Sequence, residues 1–161
     1  MRAFADRPLE PEALERILHA GRRAPSSKNL QRWHFVVCTE REHLKQLAAV
    51  GPFAGHVAGA SAAVALVMPE AEEEWDRESI AFDLGQCAEN MMLAAFELGI
   101  GSVHATVYEQ DLARELLGYP EGFRCRYLIS FGYPAEPDAL TRQLRKGGRR
   151  PLDEIVHRER W

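Results

Sequence analysis

Apolar residues along this chain alternate between helical and strand spacing. Leu14, Ile17, Leu18 and Gly21 recur at helical intervals after Pro11, whose fixed φ suits a first helical position. Residues 33–38, rich in aromatic and β-branched side chains, predict a strand. Thr39 with Glu42 has the pattern of a capping box and opens a helix with Leu44, Leu47 and Ala48 inward. Residues 51–59, with Pro52 and three glycines, read as loop. Residues 62–68 are an unbroken apolar run ended by Pro69, a second strand. The acidic run 70–78 reads as a solvated turn.

The longest helix is predicted over residues 79–98, with Ser79 as N-cap and Gly99 in the C′ position. Ile80, Leu84, Cys87, Ala88, Met91, Met92 and Ala95 form its stripe, and Phe82 and Phe96 carry apolar surface beyond it. Only Asp83, Glu89 and Glu97 are charged between Ile80 and Leu98. A helix apolar most of the way round is buried on most sides. In so small a chain that favours the centre of a dimer, with Met91 and Met92 as interface filler, over the core of a monomer. A strand (102–107), a helix (111–117, stopped by Gly118) and a strand (125–131) follow. The remainder, 134–161, is rich in Pro, Gly and Arg and reads as an extended arm.

Composition narrows the class. The chain has 161 residues, 46% hydrophobic and 27% charged, with a net charge of −4. That fits one domain spanning 1–161 and gives no reason to expect a nucleic-acid partner. Cys38, Cys87 and Cys125 are far apart and form no C-x-x-C, which predicts reduced, buried thiols and a cytoplasmic address. The apolar runs are too short to span a bilayer. The six histidines show no metal-binding spacing. There is no G-x-S-x-G elbow and no Walker motif, and Gly99-Ile100-Gly101 precedes a strand where a dinucleotide fingerprint must follow one. An enzyme of this composition would leave its chemistry to a cofactor.

The segment Ala24-Pro25-Ser26-Ser27-Lys28-Asn29-Leu30-Gln31-Arg32-Trp33 carries more hydrogen-bonding groups than a plain connection needs, although Pro25 and small polar residues also suit a helix stop. With its flanks it resembles the flavin-binding loop of the nitroreductase family. Matching fragments follow in order: Arg2-Ala3-Phe4 with Pro8, the helix segment from Asp83 to Ala95, Leu98-Gly99-Ile100-Gly101-Ser102, Leu116-Leu117-Gly118-Tyr119-Pro120, Phe131-Gly132-Tyr133-Pro134, and Gly148-Arg149-Arg150-Pro151-Leu152-Asp153-Glu154.

The resemblance implies an α+β nitroreductase-like sandwich: a central, mostly antiparallel sheet flanked by helices, the long helix at a homodimer interface, and a C-terminal arm crossing to the partner. It implies FMN as cofactor, NADH or NADPH as electron donor, and ping-pong reduction of a small-molecule acceptor such as a nitroaromatic, quinone or flavin. Pro25, Ser26, Ser27, Asn29 and Gln31 would line the ring or ribityl chain. Backbone groups of His104, Ala105, Thr106 and Val107 would lie near the reactive ring nitrogen. Arg149 would meet the phosphate, a role suited to a forked, permanently charged donor, with Arg2 and Arg150 as further cations. No side chain would act as the catalytic group, and no metal is expected.

Some positions depart from the family pattern. The Arg-Arg-Ser that commonly precedes the Arg2 segment is not in this sequence: either a phosphate contact is lost, at a cost on the order of 1–3 kcal/mol, or the start is assigned a few residues late. Val107 brings bulk where small residues are common, and Gly147 stands beside Lys146 where relatives often carry Lys. These departures leave two alternatives: a same-fold flavin enzyme with another task, such as reductive dehalogenation or flavin cleavage, and a dimeric binding protein with weakened FMN affinity. Residue by residue, His104 could equally be a core histidine, Trp33 reads as core, and Trp161 could pack on the partner.

Overall fold

In the computed structural model, described over residues 1–142 and 148–161, helices and strands alternate along the chain. The order is α1 (Pro11–Arg22), a 3-10 turn (Ser27–Asn29), β1 (His34–Cys38), α2 (Arg41–Leu47), β2 (Ala62–Pro69), α3 (Glu74–Glu97), β3 (Gly101–Thr106), α4 (Gln110–Leu117) and β4 (Phe123–Gly132). The strands form one sheet in the order β1-β2-β4-β3, with every pairing antiparallel.

Helices cover both faces of this sheet, which is why β2 is apolar at every position instead of alternating. On one face Leu44 and Leu47 of α2 and Ala113 of α4 pack against Val67, Cys125 and Leu128. On the other, Ile17 of α1 and Leu84, Cys87 and Met91 of α3 pack against Leu66, Ile129 and Phe131. This is the expected α+β sandwich. Trp33 and all three cysteines are buried, as their sequence context predicts.

Several boundaries differ from expectation. The long helix starts at Glu74, with Glu73 as N-cap, and not at Ser79. Half of the acidic run is therefore helix; Glu74 and Asp76 sit in the first turn, where carboxylates favour the positive end of the helix dipole. Thr39 caps nothing: α2 opens after Glu40, with no side-chain capping bond. The far end of α3 is as predicted. Gly99 takes φ +70°, and the N–H groups of Gly99 and Ile100 donate to the Phe96 and Ala95 carbonyls at 3.0 and 2.9 Å, a complete Schellman motif.

Met91 is not interface filler. It is fully buried within its own chain, where it abuts Gly21 so closely that a Cβ on Gly21 would run into its side chain. The amino-terminal segment is pinned to the end of β4 by the Ala5 N–H, which donates to the Tyr133 carbonyl at 2.8 Å, and by a Phe4–Pro134 bridge. Among the described residues no helix is long and apolar enough to cross a membrane.

Candidate functional site

The loop between α1 and β1 is built under backbone strain. Lys28, Asn29 and Gln31 all take positive φ, at 52°, 55° and 48°, a region that L side chains enter at a cost of about 1–2 kcal/mol each. Internal bonds hold it there. The Asn29 and Leu30 N–H groups donate to the Ser26 and Ser27 carbonyls, and the Gln31 N–H donates to Ser26 Oγ at 3.0 Å. Part of the loop's polar equipment is therefore spent on its own shape. Pro25, Asn29 and Gln31 remain exposed, and Ser26 and Ser27 half-buried.

Helix α3 moors this loop. The Ser27 N–H donates to Asp83 Oδ2 at 3.0 Å, and Asp83 is only 4% exposed. Arg32 pairs with Asp76 and also donates to Ser79 Oγ at 3.3 Å. Lys28 lies 5.8 Å from the centre of the Trp75 ring. Between loop and helix opens a cavity of about 350 Å³, lined by Pro25, Ser26, Ser27, Ser79, Phe82, Asp83 and Gln86. Ser79, expected to cap a helix, instead serves this wall.

The second predicted group lies along β3, an edge strand. The Val107 N–H donates to the Arg126 carbonyl at 3.2 Å. Ladder bonds alternate, so Ala105 and Val103 also face β4 while the N–H groups of His104 and Thr106 turn to the open edge. His104 is exposed and is not a core histidine. Ala105 and Val107 point their side chains into the core beneath α2 and α4. Of the four residues expected near the flavin nitrogen, two therefore offer a free N–H, and the Val107 N–H is already engaged. Val107 bulk does not reach the edge.

Beside His104 stands His56, buried to 9% exposure, with Nδ1 2.9 Å from Ser130 Oγ. Its Nε2 is buried without a hydrogen-bond partner among the described residues. Burial lowers the His56 pKa, and Arg2, the amino terminus and His104 lower it further. Arg2 and the amino terminus thus lie near His56.

The chain does not bring its predicted site residues together. The loop leads into β1 and the His104–Thr106 edge belongs to β3, the two outer strands. Three inter-strand spacings, about 14 Å, lie between them. Arg149 and Arg150 lie exposed in the tail, with no ion pair among the described residues. Lys146 and Gly147 fall outside the described residues. Burial pushes the thiols of Cys38, Cys87 and Cys125 up to about 11, 12 and 12, so they remain protonated, unreactive core groups at neutral pH.

On sequence alone Asp83 is one charge on an apolar helix and His56 a loop residue. A lone carboxylate amid an apolar stripe was the available signal for Asp83. His56 carried none, because its neighbours come from distant strands.

Comparison with known proteins agrees with this architecture. A profile of the nitroreductase family matches residues 1–55 and 54–133. A protein of Archaeoglobus fulgidus, named as an NADH dehydrogenase/NAD(P)H nitroreductase, is 34% identical over 165 residues, covering 100% of this chain and 92% of its own. The NADPH-flavin oxidoreductase of Vibrio harveyi is 27% identical, covering 100% of this chain and 70% of its own. The solved FMN-dependent nitroreductase of Clostridium difficile superposes with a TM-score of 0.82 at 26% identity, covering 100% of this chain and 94% of that one. With the profile spanning most of the chain and the fold shared throughout, the chain belongs to the nitroreductase family.

Proposed function

We propose that this protein is an FMN-dependent NAD(P)H oxidoreductase that reduces nitroaromatics, quinones or flavins, working as a homodimer in the cytoplasm. The observation that carries the reading is that the polar loop leads into β1 while the His104–Thr106 edge belongs to β3, the two outer strands of a single sheet. A strained, polar loop leads into one outer strand, and free N–H donors line the edge of the other. Two copies, each giving a different half, would close the cradle.

The residues fit FMN. The loop presents Pro25, the Ser26-Ser27 pair and the exposed amides of Asn29 and Gln31 to a flat, polar ring and its ribityl chain. Arg2 and the outward N–H groups of His104 and Thr106 suit the carbonyl-rich and anionic edge of the ring system. Arg149, with Arg150 beside it, supplies forked donors to the phosphate from an arm that makes no ion pair of its own among the described residues. Bound FMN would take two electrons from the nicotinamide and deliver them to an acceptor in a second half-reaction, so no protein nucleophile is needed.

Flavin titration of the purified protein tests this directly. A yellow complex that survives desalting and oxidises NADH or NADPH in the presence of a nitroaromatic or quinone is expected. Asn29→Ala and Arg149→Ala should each weaken FMN binding about tenfold to hundredfold, the equivalent of one lost charged or polar contact. A chain that stays colourless after FMN addition would sink the enzyme reading.

A further inference from the structure

A cleft unrelated to the loop opens where the end of β2, the start of β4 and the first turns of α3 meet. It holds about 550 Å³, well within the range of small-molecule sites. Three arginines, Arg77, Arg124 and Arg126, line it.

The backbone brings two of them there by an irregularity. In the β2–β4 register, Leu66 pairs with Tyr127 and Val67 with Cys125, so Arg126 is the extra residue of a β-bulge. A bulge re-aims a side chain. Without it Arg124 and Arg126 could share a face only if Tyr127 left the α1–α3 core, to which it belongs. With it, Arg126 and Arg124 line one cleft, and Tyr127 keeps its core position under the Arg126 guanidinium, 5.2 Å from its ring centre.

None of the three arginines makes an ion pair among the described residues. Arg77 donates to the backbone carbonyls of Ala71 and Glu72. Arg124 is half-buried, and its Nε is a buried donor without an acceptor. Buried donors in folded proteins are almost always satisfied, by protein, water or ion. Three arginines lining one cleft without ion pairs among the described residues, on a chain of net charge −4, are a local reversal of sign, and such a cleft concentrates anions.

The rest of the wall shapes the anion. Met68 and Ile80 give it an apolar floor, and Glu70 is an exposed carboxylate at the rim. Glu70 disfavours a second anion nearby and accepts from hydroxyl or amino groups. We propose that this cleft binds the phosphoryl group of an organic phosphate of nucleotide size, with the phosphate on the arginines and a donor-bearing body toward Glu70. The assignment does not depend on flavin binding.

Calorimetric titration of the purified full chain with inorganic pyrophosphate and with adenosine 2′,5′-bisphosphate tests it. Saturable binding of both is expected, with the adenosine compound tighter because it also covers the apolar floor. Arg124→Gln should weaken both at least tenfold. Arg77→Gln, at an exposed position that does not endanger folding, should weaken both severalfold. Arg41→Gln, on an exposed arginine paired with Asp6 elsewhere, should change neither. Absence of saturable binding at millimolar probe, or undiminished binding by both Arg77→Gln and Arg124→Gln, overturns the site. Steady-state kinetics separates two sources of the phosphate. A KM for NADPH that rises in Arg77→Gln while that for NADH does not assigns it to the electron donor. Unchanged KM values with lost bisphosphate binding assign it to a separate organic phosphate, and either result supports the cleft.

Discussion

At the scale of single residues, two buried polar groups shape the candidate site. Asp83 accepts from the Ser27 amide and gives the strained loop a fixed point on α3. Asp83→Ala leaves that amide without its acceptor, and the expected loss is about 1–3 kcal/mol of stability together with weaker FMN binding. Asp83→Asn keeps an acceptor oxygen and should lose less; paired thermal melts and flavin titrations of the two variants check the order. His56 provides a pH dependence. Its folded pKa lies below the ordinary histidine value near 6.5, chiefly through burial, so the unfolded chain binds the proton more readily. Stability is therefore full above about pH 6.5 and falls as pH drops through the window below it, the sign for a group with a depressed folded pKa. Melting temperatures from pH 5 to 8 should show that slope, flattened in His56→Gln. Neither role was legible from composition, because both depend on partners from remote parts of the chain. The polar character of Ser26, Ser27, Asn29 and Gln31 was legible. That Ser26 would be spent inside the loop was not, since that follows from the positive φ values around it.

At the scale of elements, local chemistry predicted most of what formed. Gly99 and Gly118 end α3 and α4 in left-handed conformations, as their place after an apolar stripe implies. The start of α3 lies ahead of Ser79, although Ser79 is a good cap in isolation. The preceding acidic turn packs through Asp76 against Arg32, a contact no local window contains. One glycine ties an element boundary to the site. A Cβ on Gly51 would sit 2.8 Å from the Thr106 carbonyl oxygen, and the adjacent Val50 carbonyl accepts from the Tyr108 and Glu109 N–H groups. Backbone cannot swing aside as a side-chain tip can. Gly51→Ala should therefore shift the end of β3, cost about 1–3 kcal/mol as overpacking does, and weaken flavin binding. Denaturant melts and FMN titration measure the two effects separately.

At the scale of the whole molecule, one face of α3 finds no cover among the described residues. Phe82, Leu93 and Phe96 are 71%, 57% and 53% exposed, and their spacing places them on the same side of the helix. Leu152, Ile155 and Val156 of the tail are exposed as well. Apolar surface so grouped is what the proposed homodimer would cover. Phe82→Glu with Leu93→Glu should leave the helical content intact, shift sedimentation to the monomer, and reduce FMN affinity at least tenfold; a monomer holding FMN as tightly as wild type would refute the shared cradle. The order of helices and strands, the apolar run of β2 and the family resemblance were all determined by the sequence itself. Periodicity, turn residues and short motifs are local properties, written in consecutive positions. Only the tertiary structure decided that the loop and the His104–Thr106 edge lie on opposite sides of one sheet, that Asp83 and His56 support them, and that a bulge gathers Arg124 and Arg126 into a cleft. Those facts depend on which strands become neighbours, and strand neighbourship is fixed by burial of the whole core, not by any stretch of it.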